Sequence, residues 1–377
     1  MKQSDRYRKL KAKGVSEDSI KKIFQKPTEM TIFSYEGEKD TVMTPWDSVK
    51  YYQYFLHPGF MAMNPKNGHI KAWVGGVNFQ YFKYDHVNPS AKRQVGSTFK
   101  PFVYTVAAMN GYSPCFQIPN VPVVFEEYDN WSPKNASREY GGKYPMKYGL
   151  SNSINCITAY LIKQVGPESV VQLANRMGIR SKIQAYPSIA LGTSDVSVFE
   201  MVSAFNTYAN KGVWVEPTYI TRIEDKNGNV LKRFVPKTIE VLDETTNYIM
   251  LDMLKNVVNE GTAGRLRYNH NLRNEIAAKT GTTQNQSDGW FLGAVPNLTA
   301  GVWVGAQNRS VHFRNINLGQ GANTALPIWA KFMKSCYDDP QLNISKEPFE
   351  KVEEELPVVI DCSDYEHGEG SQGDLNF

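Results

Sequence analysis

Apolar and polar positions change texture along the chain. Residues 1–26 are sparse in apolar side chains and carry nine Lys/Arg against three acids, which reads as a solvated helix or linker. From about residue 59 strand patterns begin. Phe60-Met61-Ala62-Met63 and Ile70-Lys71-Ala72-Trp73-Val74 flank an Asn67-Gly68 turn, and Gly75-Gly76 ends the second run. A second hairpin pattern covers 219–223 and 230–231 around a turn at 226–229. A third region, 276–304, holds three short strands, at 276–278, 290–294 and 301–304, joined by 285–289 and 296–297. Helical spacing lies between these strands. Apolar residues at 99, 102, 103, 106 and 107 predict a helix after Ser97, and 155–165, 167–177, 198–210, 244–259 and 326–337 repeat the signal. Ser197 and Glu200 form a capping box for the helix at 198–210, which ends at Gly212. Strands from both ends with helices between them predict an α+β fold, with one antiparallel sheet flanked by a mainly helical subdomain.

Charge and composition add limits. The 377 residues are 41% hydrophobic and 21% charged, a globular composition. A net charge of +4 is too near balance to imply a nucleic-acid partner. Cysteines 115, 156, 336 and 362 include no CxxC pair, so neither a zinc ribbon nor a thioredoxin-type motif is present, and no disulfide can be assigned. No run approaches 18 apolar residues, and the basic N-terminus lacks the apolar core of a secretory signal. From 346 onward there are ten acids and two lysines, which predicts a disordered acidic tail over 343–377.

Candidate chemistry begins with absences. There is no HExxH, P-loop or GxSxG. The six histidines (57, 69, 86, 270, 312, 367) are scattered and read as structural or exposed. Three motifs remain. In Ser97-Thr98-Phe99-Lys100-Pro101, Pro101 fits only a first helical turn, so Ser97 sits at a helix N-terminus with Lys100 one turn on. A serine hydroxyl needs a base, and a desolvated lysine can serve as one. SxxK alone is weak evidence, and Ser19-Ile20-Lys21-Lys22 is a second copy without a role. Ser153-Ile154-Asn155 lies 56 residues further on, before a helix, where helix capping is the ordinary explanation. Lys279-Thr280-Gly281 sits on a strand whose glycine permits close approach of a ligand, or is an edge strand with an ordinary lysine.

The order SxxK, SxN, KTG is the motif set of serine β-lactamases and penicillin-binding proteins. The sequence resembles the transpeptidase domain of a bifunctional (class A) penicillin-binding protein. The likeness is carried by 63–65, 73–76, 93–104, 153–161, 187–194, 279–293 and 301–305, and covers roughly 45–340. Residues 43–52 are similar to the interdomain region of such proteins from Bacteroidota. Two positions depart from the family pattern. Val95 replaces the proline of RQPGS, and Ala278 replaces the glycine before KTG, where a methyl aimed at the site would narrow the cleft.

The resemblance implies a penicillin-binding protein/serine β-lactamase-like fold and a D,D-transpeptidase that cross-links peptidoglycan stem peptides. Ser97 is the implied nucleophile and Lys100 its base. Ser153 relays the proton to the leaving D-Ala amine, oriented by Lys279, and Asn155 binds substrate and Lys100. The backbone N–H groups of Ser97 and Thr282 form the implied oxyanion hole. Thr280, Gly281, Thr282 and Thr283 are the implied substrate-binding residues. No cofactor or metal is implied. Implied partners are stem peptides, β-lactam antibiotics and, in the full-length protein, the cell-wall synthesis machinery, but no nucleic acid. The implied organisation is an interdomain remnant at 1–44, the transpeptidase domain at 45–342 and the acidic tail at 343–377. On this reading the chain is a fragment without its membrane anchor and glycosyltransferase domain, from a protein on the periplasmic face of the cytoplasmic membrane. A D,D-carboxypeptidase, a serine β-lactamase and a non-catalytic penicillin-binding scaffold are the alternatives.

Overall fold

The computed structural model describes residues 1–363 apart from Gln3 and Glu354. Its centre is a five-stranded antiparallel sheet of β1 (Leu56–Met63), β2 (Ile70–Val74), β3 (Ala277–Thr282), β4 (Asp288–Val295) and β5 (Leu298–Ala306). The order is β3-β4-β5-β1-β2, so strands from both ends of the domain meet where β5 pairs with β1. Every residue of β4 and β5 is buried, which requires cover on both faces. The helix α5 (Val198–Ala209) lies on one face and α7 (Leu326–Asp338) on the other. A Cβ on Gly301 would sit 2.4 Å from Val202, and one on Gly293 2.8 Å from Trp329. The two glycines therefore set how closely the helices approach.

The helical half contains α1 (Lys100–Met109), α2 (Met146–Ser151), α3 (Asn155–Val165), α4 (Pro167–Arg176) and α6 (Glu244–Asn259). Helix α1 is buried from Lys100 to Ala108 on every face, as a central core helix must be. The capping box of α5 forms as predicted, with Glu200 N donating to Ser197 Oγ and Ser197 N to Glu200. The α+β architecture, with its sheet built from both ends, matches the expectation.

Two regions differ from it. Residues 1–26 fold into helices Asp5–Ala12 and Glu17–Gln25, whose Tyr7, Ile20 and Phe24 make a small core of their own. A hairpin, Thr28–Ser34 with Gly37–Met43, and a helix, Pro45–Gln53, follow. Phe33 fastens the hairpin to the domain by packing against Phe55 and Phe82, with ring centroids 5.3 and 5.4 Å apart.

The second difference corrects the predicted tail. Residues 343–363, Glu354 aside, form a strap on the domain. Phe349 is 6% exposed and its N–H donates to Glu275. Ser113 Oγ and Lys147 Nζ donate to the carbonyls of Val359 and Ile360, and Cys362 is disulfide-bonded to Cys115. Apolar anchors and a covalent link override the acidic composition. The remainder of the predicted tail, 364–377, lies outside the described residues.

Candidate active site

Ser97 stands at the turn that leads into α1. A 3₁₀ turn, Gly96–Phe99, carries it, and α1 starts at Lys100. The approach is fastened to the sheet at several points. Arg93 Nε donates to Asp288 at 2.7 Å, in a buried ion pair that also accepts from Trp303 Nε1 at 2.9 Å. Trp290 Nε1 donates to Gln94 O at 2.8 Å. Gly96 adopts φ +55°, and a Cβ there would lie 2.7 Å from Thr282 O. The Ser97 turn thus rests on the free edge of β3, a contact that only glycine allows. Val95, in place of the family proline, is fully buried in the core.

Lys100 is fully buried. Its Nζ donates to Asn155 Oδ1 at 2.7 Å and to Ser153 O at 2.5 Å. Burial, and then the charge of neighbouring Lys279, hold its ammonium well below the ordinary lysine range. A neutral amine has two N–H groups and one lone pair. Both N–H groups are taken by carbonyl oxygens, so the lone pair is left to accept a proton. Ser97 is half-buried and lines the cleft, and no hydrogen bond joins its Oγ to Lys100 or Ser153 among the described residues. Such contacts are often long until substrate closes them.

Ser153 lies between α2 and α3 with φ +57°. That left-handed backbone is costly for a residue with a side chain, and such strain gathers at functional sites. Neither Ser153 nor Asn155 caps α3. The cap comes from Asn135, whose Oδ1 accepts from the N–H groups of Asn155 and Cys156 at 3.1 and 3.0 Å. The side chains of the SxN motif are therefore free for other work. Asn155 Nδ2 holds Lys134 O at 2.8 Å, while its Oδ1 holds Lys100.

Lys279 is fully buried, and burial pushes its ammonium down to about 7. Its Nζ donates to Ser153 Oγ and to Thr280 O, both at 3.1 Å. Thr280, Thr282 and Thr283 line the cleft; Gly281 does not. A Cβ on Gly281 would lie 2.8 Å from both Val95 O and Thr98 Cγ2, so this glycine seats β3 against the Ser97 turn. Thr283 N donates inward to Asp288 O. By strand alternation the N–H of Thr282 then points to the free edge, where the Ser97 turn lies. Ala278 is fully buried, pairs with Gly293 and is not among the residues lining the cleft, so its methyl does not narrow it.

The cleft has a volume of about 740 Å³ and is lined by Ser97, Ser153, Asn155, Thr280 and Thr282. Thr262, which also lines the cleft, was not singled out in the sequence. Its hydroxyl pairs with that of Thr280 at 2.7 Å, and its N–H donates to Ser151 O. The only available signal was the Gly261-Thr262 pair after α6, which reads as a helix end. No described histidine lines the cleft. His57 and His86 stack in the core at 5.1 Å, where burial brings His86 down to about 3.

Comparison with known proteins bears on the family and the fold. Residues 1–56 match the penicillin-binding protein middle domain, and residues 59–333 match the penicillin binding protein transpeptidase domain. Penicillin-binding protein 1A of Aquifex aeolicus is 34% identical over 285 residues, covering 74% of this chain and 38% of that protein. Penicillin-binding protein 1A of Pseudomonas aeruginosa is 30% identical over 342 residues, covering 76% and 41%. The chain thus spans about two fifths of these relatives. Among solved structures, penicillin-binding protein 1A from Haemophilus influenzae aligns with a TM-score of 0.71 at 24% identity, covering 80% of this chain and 49% of that one. PonA1 from Mycobacterium tuberculosis in complex with penicillin V aligns at 0.66 and 22%, covering 92% and 94%. No helix among the described residues is long and apolar enough to cross a membrane. With its transpeptidase match over residues 59–333, the chain belongs to the penicillin-binding protein transpeptidase family.

Proposed function

We propose that the chain is a serine D,D-transpeptidase that cross-links peptidoglycan stem peptides through a Ser97 acyl-enzyme and is acylated at the same residue by β-lactams. The observation that carries the proposal is the state of Lys100, a buried amine whose N–H groups are both used on Asn155 and Ser153. Ser97 Oγ attacks the carbonyl carbon of the penultimate D-Ala, and its proton passes to the Lys100 lone pair. The oxyanion is held by the N–H groups of Ser97 and Thr282; one such donor is typically worth about 2.7–4 kcal/mol. The C–N bond to the terminal D-Ala breaks as its nitrogen takes a proton through Ser153, which Lys279 orients. Lys279 and the hydroxyls of Thr280 and Thr282 hold the terminal carboxylate, and Thr283 supports the turn beside them through Ser287 and Asp288 N. An amine of a second stem then attacks the acyl-enzyme and releases Ser97.

In this reading residues 45–342 are the catalytic unit and 1–44 the interdomain portion before it. The Cys115–Cys362 disulfide favours an oxidising compartment such as the periplasm, consistent with work beside the cytoplasmic membrane among the cell-wall synthesis machinery. Intact-mass analysis after incubation with a penicillin tests the proposal. One stable adduct, mapped to Ser97 and absent in Ser97→Ala, is expected. No adduct on folded protein would leave a non-catalytic scaffold. Rapid loss of the adduct would point to a β-lactamase. Product analysis with a stem peptide and an amine acceptor separates cross-linking from transfer to water, the carboxypeptidase outcome.

A further inference from the structure

The walls of the cleft carry charge of one sign. Lys134 and Arg138 line it from the loop before α2, and Arg314 lines it from the segment after β5. No aspartate or glutamate lines it. These three side chains are exposed, and none has a hydrogen bond or ion pair among the described residues. Other arginines of this part of the fold are matched: Arg93 by Asp288 and Arg309 by Asp195. Arg138 also keeps a left-handed backbone, φ +60°, which glycine or asparagine would adopt at less cost. The loop that carries Lys134 is tied to the catalytic residues, because Asn155 Nδ2 holds Lys134 O.

We infer that Arg138 and Arg314 make the cleft selective for stem peptides that carry free side-chain carboxylates over the same peptides carrying carboxamides. This rests on the transpeptidase reading and names the substrate class within it. A cleft lined by one sign of charge focuses its field and concentrates ligands of the opposite sign. A stem peptide whose D-Ala-D-Ala end lies at Ser97 and β3 runs outward between these two walls. Its upstream side chains then pass the cations, and a carboxylate there gains an attraction that an amide does not. Exposed pairs are individually weak; two acting together in a cleft correspond to a preference of about tenfold, falling as salt rises.

The test needs no turnover. Two synthetic stem peptides differ only in a third-residue side chain ending in carboxylate or carboxamide. Each competes with a fluorescent penicillin for Ser97, and the concentration that halves the acylation rate is read at low and high salt. The ratio between the peptides is taken within wild type and within Arg138→Gln/Arg314→Gln, so any change in intrinsic acylation cancels. The expected ratio is about tenfold in wild type, smaller at high salt and near one in the double variant. Equal competition in wild type, or a ratio that survives both substitutions, overturns the inference and leaves the enzyme reading standing. Absence of any penicillin adduct overturns that reading, and this inference with it.

Discussion

Lys279 offers a direct test of how burial sets the chemistry. Its ammonium is brought from an ordinary 10.5 to about 7 by burial. At 1.36 kcal/mol per unit this is a penalty on the charged form, relative to water, of about 5 kcal/mol. The proposed role needs the charged form, which orients Ser153 and faces a carboxylate. Because kcat/KM reports the free enzyme, the second-order acylation of Ser97 by a penicillin should fall above about pH 7 and drop to roughly one tenth by pH 8. Lys100, whose burial also favours its neutral form, works as a base and so sets the acid limb. Lys279→Arg keeps its charge at every accessible pH. Its plateau should be lower, because a planar guanidinium does not reproduce the ammonium's contacts, but its alkaline limb should vanish. Stopped-flow acylation across the pH range measures both profiles. A wild-type rate that stays flat through neutrality, or an alkaline limb unchanged in Lys279→Arg, refutes the reasoning.

Three further outcomes follow from the same contacts. Between about pH 7 and 10.5 the unfolded chain keeps a proton on Lys279 that the folded chain gives up, so stability rises with pH across that window. Lys279→Met removes a cost of about 4 kcal/mol at pH 7 and loses two hydrogen bonds of about 1 kcal/mol each; its Tm should exceed wild type at pH 7, with the gain shrinking toward pH 10. Cys115→Ser opens a loop of 247 residues and should cost about 2–5 kcal/mol in denaturant unfolding, while limited proteolysis should cut the strap near Val359; an unchanged midpoint would count against the strap. Gly281→Ala places a methyl 2.8 Å from Val95 O and Thr98 Cγ2, so β3 must shift from the Ser97 turn and acylation should slow by about 10²-fold; a wild-type rate with intact folding would show that the packing tolerates it.

How much of this was legible in the sequence depended on how far each feature is local. The helix read at 155–165 has those bounds in the structure, and that read at 244–259 likewise, because apolar period and end signals lie within one segment. Strand β3 was read from its apolar residues 276–278 with the KTG motif placed on it, and it runs to Thr282. Its second half is polar, and there the pairing with β4 rather than an apolar pattern carries the strand. The hairpin over 28–43 exposes most of its side chains and leaves little alternation to read. The strap was hidden by its acids, since one phenylalanine and one cysteine outweigh them only once Glu275 and Cys115 are in place. Within the candidate site, the structure brings Lys100, Ser153, Asn155 and Lys279 together, and these could be singled out because motif spacing is itself a signal. Asn135, Thr262 and Asp288 were not, because each acts on a partner at least 18 residues away.

The two buried lysines show why the supporting residues matter as much as the motifs. Two ammonium groups close together in a dry site cannot both stay charged, since each disfavours the proton on the other. The fold breaks the tie by what it puts around them. Lys100 meets a side-chain amide oxygen and a main-chain carbonyl, which use its N–H groups and leave a lone pair. Lys279, fully buried, meets the hydroxyl of Ser153 and the carbonyl of Thr280, two residues that line the cleft. In the proposed mechanism one amine takes a proton and the other holds one. The assignment depends on Asn135 setting the start of α3, so that Asn155 faces Lys100 and Ser153 is held in its left-handed turn. Asn135→Ala should therefore depress acylation by loosening both lysines at once, with a larger effect on rate than on the midpoint of unfolding. Equal loss of both would mean that Asn135 serves stability alone.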